Sequence, residues 1–272
     1  MIQRITSRKN PRVTELRRLA SQRDFRRERG LFLGDGIKLL EEAVRWNAPL
    51  DTVVVTRGLS LPRIPEDVDV IEVPEDVMDA VSPMRSPQGA LFLCRIPGQP
   101  IPDRLPGDRY LVLDGLQDPG NVGTIWRTAD ALGADGLILV NSCADPWNPK
   151  TVRATMGACF RLPVYEMEAE EMGALLERSG LPLYAAALQE DTMDIRTADL
   201  SRSAVVIGNE GRGVCPQVLG MSLGTLKIPM RDRCESLNAA AAAALVLWEM
   251  GRRTAPQEGR PPEAFPRPAG DR

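Results

Sequence analysis

The stretch LDGLQDPGNVGTIWRTADALGADGLIL, residues 113–139, predicts a strand, a polar turn, a helix and a second strand. Strands joined through a helix are typical of a parallel sheet, which binds ligands at the carboxyl ends of its strands. The turn lies at such an end, with Asn121 as the expected N-cap of the helix and Arg127 nearly two turns into it. A purely structural role also fits these residues, in which Asn121 only caps the helix and Arg127 pairs with an acid such as Asp130.

The same alternation continues on both sides of this stretch, between residues 110 and 250. Strands are predicted at 110–116, 136–141, 162–167, 181–188, 203–210 and 223–230, and helices at 122–134, 151–160, 171–180 and 236–250. This pattern predicts an α/β domain with a mostly parallel sheet that helices cover on both faces.

Two further strand ends carry an unusual density of glycine and polar residues. In AVVIGNEGRGV, residues 204–214, a glycine-rich turn follows an apolar strand but lacks the Lys-Ser/Thr of a P-loop and the dinucleotide G-x-G-x-x-G. It suits a nucleoside held by main-chain groups, although a plain turn remains possible. In LKIPMRDRCESLNAAAAAALVLWEM, residues 226–250, Ser236 or Asn238 is the expected cap of a long helix, which is also the pattern of a capped core helix.

The first half of the chain predicts a separate α/β or α+β domain. A basic helix is expected over residues 6–29, with Val13, Leu16 and Leu19 as its apolar stripe, followed by a glycine turn at Gly34–Gly36. The segment 97–108, PGQPIPDRLPGD, is typical of a linker. The predicted organisation is therefore a domain at 1–97, a linker at 98–108, a second domain at 109–253, and a tail at 254–272 that is expected to be disordered.

Composition excludes several classes of chemistry. The 272 residues include no histidine, which removes Ser-His-Asp and Cys-His catalysis and histidine zinc sites. The five cysteines are widely spaced and odd in number, which favours reduced thiols in the cytoplasm. Neither a signal peptide nor an apolar run of about 18 residues is visible, so no membrane segment is expected.

The net charge of −3 conceals a strongly basic start of the chain. Such a run can bind nucleic-acid phosphates whatever the charge of the whole chain, and the candidate residues are Arg8, Lys9, Arg12, Arg17 and Arg18. A solvated helix face explains the same run equally well.

Together, the three loops resemble the signature motifs of the SpoU/TrmH family of RNA ribose 2′-O-methyltransferases, within the SPOUT superfamily. The resemblance rests on NVGTIWRTADALGA (121–134), IGNEGRG (207–213), and IPM (228–230) with SLN eight residues after Ile228, all in the family's order. SRKNP (7–11), GLFLGDGIKL (30–39) and SPQGA (86–90) resemble, less specifically, the family's N-terminal substrate-binding domain, which is similar to ribosomal proteins that bind kink-turn RNA.

The resemblance implies an α/β catalytic domain with a trefoil knot, which pattern reading alone does not reveal because knots are nearly absent from proteins. It implies S-adenosylmethionine as cofactor, no metal, and a homodimer formed through the knotted domain. The implied cofactor-binding residues are Gly208, Asn209, Glu210, Gly211, Ile228 and Leu237. The implied catalytic residues are Arg127, Asn121, Glu210, Ser236 and Asn238, with Arg127 as a clamp on the ribose-phosphate, since arginine rarely gives up its proton.

By resemblance only, the separate N-terminal RNA-binding domain favours ribosomal RNA of the 23S type as substrate. Transfer RNA is the alternative within the same enzyme class. A protein that binds RNA without catalysis is an alternative of a different class. The presence of all the motif residues argues against it. A Rossmann-type nucleotide enzyme lacks its glycine fingerprint here, and an antibiotic-resistance methyltransferase would share every feature.

Overall fold

The computed structural model describes residues 2–84, 87–98, 100–231, 233 and 236–252. These residues form two compact units. Unit 1 contains the described residues up to 98 together with Asp145–Arg161, and unit 2 contains the described residues of 99–144 and 162–252. The predicted tail at 254–272, Ser86 of the SPQGA motif and Cys234 lie outside the described residues. In the described part of the chain, no helix is long and apolar enough to span a membrane.

The elements follow one another in the predicted alternation. The strands are β1 Ile2–Arg4, β2 Leu31–Asp35, β3 Leu50–Thr56, β4 Asp69–Val73, β5 Ala90–Arg95, β6 Arg109–Asp114, β7 Gly136–Val140, β8 Val164–Glu166, β9 Leu183–Ala186, β10 Met193–Asp194, β11 Ser203–Gly208 and β12 Gly224–Lys227. The helices are α1 Pro11–Ser21, α2 Arg23–Arg29, α3 Ile37–Arg45, α4 Glu75–Val81, α5 Pro119–Ala131, α6 Pro149–Ala154, α7 Ala169–Ser179, α8 Pro216–Met221 and α9 Ala239–Gly251.

Unit 1 is built on a mixed five-stranded sheet in the order β1-β4-β3-β5-β2, with β5 antiparallel to both of its neighbours. The prediction of a single basic helix over residues 6–29 is wrong. Asn10 caps α1, Pro11 occupies its first turn, and the extended backbone of Gln22 separates α1 from α2. Val13, Leu16 and Leu19 form the buried face of α1, as predicted.

The segment Asp145–Arg161 belongs to unit 1 although its neighbours in the chain belong to unit 2. Its aromatic rings pack on β2: the centroid of Trp147 lies 4.8 Å from that of Phe32, and Phe160 stacks 6.4 Å from the same ring. The predicted helix at 151–160 is wrong in extent. Only α6 and a 3₁₀ helix at Ala158–Phe160 form, because Gly157 adopts a φ of 93° between them.

Unit 2 contains a seven-stranded sheet in the order β10-β12-β9-β11-β6-β7-β8, and every strand pair among its described residues is parallel. One face packs against α7 and α8 through a core that includes Tyr110, Val112 and Val206. Because side chains alternate along a strand, Leu111 and Leu113 face the other side, where α9 contacts β6 and β11 and α5 contacts β7. The predicted parallel sheet covered on both faces is confirmed, whereas β1, β10 and α8 were not predicted.

Candidate functional site

The first predicted loop follows β6 and leads into α5. The N-cap of α5 is Asp118, whereas the sequence had indicated Asn121. Asp118 accepts a hydrogen bond from the main-chain N–H of Asn121 at 2.8 Å, and Pro119 starts the helix. An aspartate before a proline supplies both a capping oxygen and a preset first turn. The side chain of Asn121 is therefore free for tertiary contacts.

Asn121 joins the three predicted loops through its amide group. Its Nδ2 donates to Oε1 of Glu210 at 3.0 Å, and its Oδ1 accepts from Nδ2 of Asn238 at 3.2 Å. Asn121 lies in the segment that follows β6, Glu210 in the one after β11 and Asn238 in the one after β12. In sequence, Glu210 is 89 residues and Asn238 is 117 residues from Asn121. We call Asn121, Glu210 and Asn238 the amide-carboxylate network.

The glycine-rich loop, residues 209–214, is a tight return closed by main-chain hydrogen bonds of 2.9 Å in both directions between Asn209 and Gly213. A Cβ on Gly208 would lie 2.2 Å from the carbonyl carbon of Gly213, so only glycine fits there. The side chain of Asn209 accepts from the N–H groups of Gly211 and Arg212, at 3.0 and 3.1 Å. Its Nδ2 also donates to the carbonyl of Gly115 at 2.7 Å.

The third loop ends at α9, where Asn238 is the cap and accepts from the N–H groups of Ala240 and Ala241 at 2.9 and 3.3 Å. Ser236, the other expected cap, is exposed. Leu237 is 40% exposed, and the main-chain groups of Leu237 and Ile228 form no hydrogen bond with another described residue. An exposed leucine, and main-chain groups with no hydrogen bond to another described residue, suit an adenine ring, which needs an apolar surface and hydrogen bonds at its edge. These residues therefore fit a nucleoside-type cofactor.

Arg127 is exposed on α5. Its guanidinium forms no ion pair or hydrogen bond with the part of the chain that the structure describes, so the pairing with Asp130 considered above is not formed. An exposed cation of this kind is available to a phosphate or to an oxygen that acquires negative charge.

The five basic residues expected to bind RNA are all exposed, at the start of unit 1. Four have contacts within the protein: Arg8 pairs with Asp76, Arg12 pairs with Glu15, Arg17 donates to the carbonyl of Ala80, and Arg18 lies 3.7 Å from the ring centre of Phe25. Lys9 is exposed beside them. Pairs of this kind on the surface are weak, so their partners do not prevent contacts with phosphates.

Two residues near the loops, one buried and one half-buried, were not singled out from the sequence. Asp114 ends β6 and is 2% exposed, and Asn141 follows β7 with a φ of 53°. The signal that was available is an acid as the last residue of an otherwise apolar central strand. Among the described residues, no group of three or more Cys, Asp or Glu side chains is arranged to hold a metal ion.

Comparison with known families matches both halves of the chain. Residues 108–248 match the model described as the SpoU rRNA Methylase family, and residues 10–91 match the model described as an MRM3-like substrate binding domain. The two matches fall on the halves that the sequence pattern separated.

Named relatives cover nearly the whole chain. A 23S rRNA guanosine 2′-O-methyltransferase of Bacillus subtilis is 31% identical, over 92% of this chain and 99% of the relative. A 23S rRNA uridine 2′-O-methyltransferase of Streptomyces viridochromogenes is 31% identical, over 92% of each chain. The crystal structure of an AdoMet-bound rRNA methyltransferase from Sinorhizobium meliloti superposes with a TM-score of 0.83 at 31% identity, covering 93% of this chain and 99% of that one.

Proposed function

The chain belongs to the SpoU rRNA methylase family, and from this membership we infer that it transfers a methyl group from S-adenosylmethionine to a ribose 2′-hydroxyl of ribosomal RNA. The relatives named as acting on 23S rRNA align over 92% of this chain, which supports the 23S class of substrate.

The amide-carboxylate network is the observation that carries this proposal at the level of residues. Three loops far apart in sequence meet through Asn121, Glu210 and Asn238 at the carboxyl ends of parallel strands. Parallel α/β sheets place their ligand sites at this edge. The contacts also argue against a protein that has kept only RNA binding, because a chain under no catalytic constraint has no need of this arrangement.

The cofactor supplies a methyl carbon that its sulfonium group activates towards displacement. In our proposal Gly208, Ile228 and Leu237 hold it through main-chain groups and apolar surface, with Asn209, Glu210 and Gly211 beside them. The main-chain groups of Ile228 and Leu237, which have no hydrogen bond to another described residue, support this assignment. The small residues of the glycine-rich loop allow close approach to the backbone.

Arg127 binds the ribose-phosphate and stabilises the oxygen as negative charge develops on it. Arginine holds its proton too firmly to act as general base, so its role is electrostatic and orienting. Asn121, Glu210, Ser236 and Asn238 orient the nucleotide, since accurate alignment of the reacting atoms lowers the barrier of a displacement. The exposure of Arg127 and its freedom from ion pairs among the described residues support this role.

Unit 1 supplies affinity for the RNA. The match of residues 10–91 to a substrate-binding domain and the exposed Arg8, Lys9, Arg12, Arg17 and Arg18 support this assignment. Each phosphate contact that is lost lowers affinity at low salt and reduces the slope of log K against log salt by about 0.9 for a duplex. Binding to RNA of Lys9→Ala, measured from low to high salt, tests this assignment.

The proposal includes a homodimer, a trefoil knot in unit 2 and a cytoplasmic location. On the surface of α9, Leu245 is 43% and Trp248 62% exposed, which supports a partner at this alanine-rich helix. The four described cysteines are not joined in disulfides, as a reducing compartment favours. Sedimentation of the wild type beside Trp248→Ala tests the dimer, because a partner that covers this ring makes the variant dissociate more readily.

The activity is tested with labelled S-adenosylmethionine and separate pools of ribosomal RNA and tRNA. The protein is expected to label ribosomal RNA at 2′-hydroxyls, which then resist alkaline cleavage, and Arg127→Ala is expected to abolish the label. Arg178→Ala, an exposed arginine on α7 in the same unit, is the matched control and keeps full activity. Label in tRNA alone would support the tRNA alternative. No binding of S-adenosylmethionine at all would overturn the methyltransferase assignment.

A further inference from the structure

The glycine-rich loop is fastened at both of its ends to two consecutive residues, Asp114 and Gly115. At its start, Nδ2 of Asn209 donates to the carbonyl of Gly115 at 2.7 Å. Just beyond its end, the main-chain N–H of Cys215 donates to Oδ2 of Asp114 at 2.6 Å. The position of the loop is therefore set by the last residue of a central strand and the residue after it.

Asn141 braces the carboxylate of Asp114 from the neighbouring strand. Its Nδ2 donates to Oδ1 of Asp114 at 2.7 Å and lies 3.1 Å from the sulfur of Cys215. Asn141 and Ser142 both adopt left-handed backbone conformations, with φ of 53° and 57°, in which asparagine is tolerated better than most residues. The next residue, Cys143, donates its thiol to the carbonyl of Leu113 at 3.2 Å, and burial raises its pKa to about 11, so the thiol keeps the proton for this bond.

While residue 141 is asparagine and donates to position 114, the contacts require a carboxylate at position 114. Both oxygens of Asp114 accept from N–H donors, one from Cys215 and one from Asn141, whereas an asparagine offers only one accepting oxygen. Among the described residues, the hydrogen-bond donors to this buried carboxylate are the uncharged groups of Asn141 and Cys215. A buried carboxylate without a cation is costly unless hydrogen bonds satisfy it, and here they hold the loop that carries the proposed cofactor residues.

We propose that Asp114, braced by Asn141, is a positioning residue that clamps the glycine-rich loop in the conformation that binds the cofactor. The inference rests on the proposed function, because it takes this loop as part of the S-adenosylmethionine site. Asp114 touches neither cofactor nor RNA in this account, and it acts through the loop.

The decisive variant is Asn141→Gly, because glycine suits a φ of 53° and removes only the side chain that braces Asp114. Ser142→Gly makes the same change one residue later, where the described contacts include none from the side chain, and is the matched control. We expect Asn141→Gly to bind S-adenosylmethionine about tenfold more weakly by calorimetry, with Ser142→Gly unchanged. Amide hydrogen exchange of residues 211–215 without cofactor should quicken in Asn141→Gly alone.

An exchange of the two side chains separates pairing from a general loss of stability. Asn141→Asp sets two carboxylates against each other and Asp114→Asn loses one acceptor, whereas the double variant restores a carboxylate-amide pair in reverse order. We expect both single variants to weaken binding and the double variant to return to within about threefold of the wild type.

Two results overturn the inference while leaving the proposed function intact. The first is binding by Asn141→Gly equal to that of the wild type. The second is a double variant no tighter than the weaker single variant. Absence of binding by the unaltered protein would instead overturn the proposed function, and this inference with it.

Discussion

Replacing Asp145 with alanine should destabilise unit 1 severely, because the change leaves the buried cation of Arg26 without a counter-charge. Arg26 is 2% exposed, and its Nε and Nη2 donate to Oδ2 of Asp145 at 3.0 and 2.5 Å. Without Asp145, the guanidinium keeps the hydrogen bond from its Nη1 to the carbonyl of Leu19 but has lost its counter-charge. Breaking a buried pair on one side costs about 3–5 kcal/mol. With an m-value of about 1–3 kcal/mol/M, the urea midpoint falls by roughly 1–5 M.

The assay is urea unfolding followed by far-UV circular dichroism and tryptophan fluorescence together, because two units need not unfold in one step. Asp76→Ala is the control, since it removes the acid of the exposed Arg8–Asp76 pair and should cost at most about 1 kcal/mol. The double variant Arg26→Met with Asp145→Ala should lose at least about 2 kcal/mol less than the sum of the single changes. A loss below about 1 kcal/mol for Asp145→Ala, or energies that simply add, would refute the reasoning.

Three further outcomes follow from single contacts. Burial raises the pKa of Asp35, so the stability that its protonated carboxyl contributes is lost as pH rises through that pKa. The melting temperature of Asp35→Asn, relative to that of the wild type, should therefore increase with pH. A difference that stays constant with pH would contradict this. Gly34→Ala places a Cβ 2.2 Å from the ring of buried Phe92 and should cost about 1–3 kcal/mol in urea unfolding, whereas no loss would mean that the ring moves freely. Asn121→Asp replaces the donor to Glu210 by an acceptor and should lower kcat/KM about 10- to 100-fold in the methylation assay. An unchanged kcat/KM would refute this prediction.

The sheet of unit 2 was predictable because each of its central strands is an apolar run bounded by glycine or polar residues, such as GLILV before Asn141. The break between α1 and α2 was not predictable. Residues 12–29 contain neither glycine nor proline, so no local signal marks the bend at Gln22. Beyond the bend, α2 places Arg26 in a tertiary contact, buried against Asp145. Local pattern carries no information about a partner 119 residues away.

The candidate site was predictable as three loops but not as a set of contacts. Asn121 was expected to cap α5, and only the structure assigns that task to Asp118 and leaves the Asn121 amide to Glu210 and Asn238. The residues that fasten the glycine-rich loop were overlooked for a related reason. An aspartate at the end of an apolar strand has no distinguishing mark in sequence until its partners are known.

The assignment of Asp145–Arg161 to unit 1 has a practical consequence for protein engineering. A substrate-recognition half cut out at residue 98 would lack the rings that cover Phe32 and the acid that neutralises Arg26. A chimaera that exchanges RNA specificity between family members therefore has to transplant two pieces of chain, the first 98 residues and this segment. A graft of the first piece alone should aggregate, and its failure would say nothing about RNA recognition.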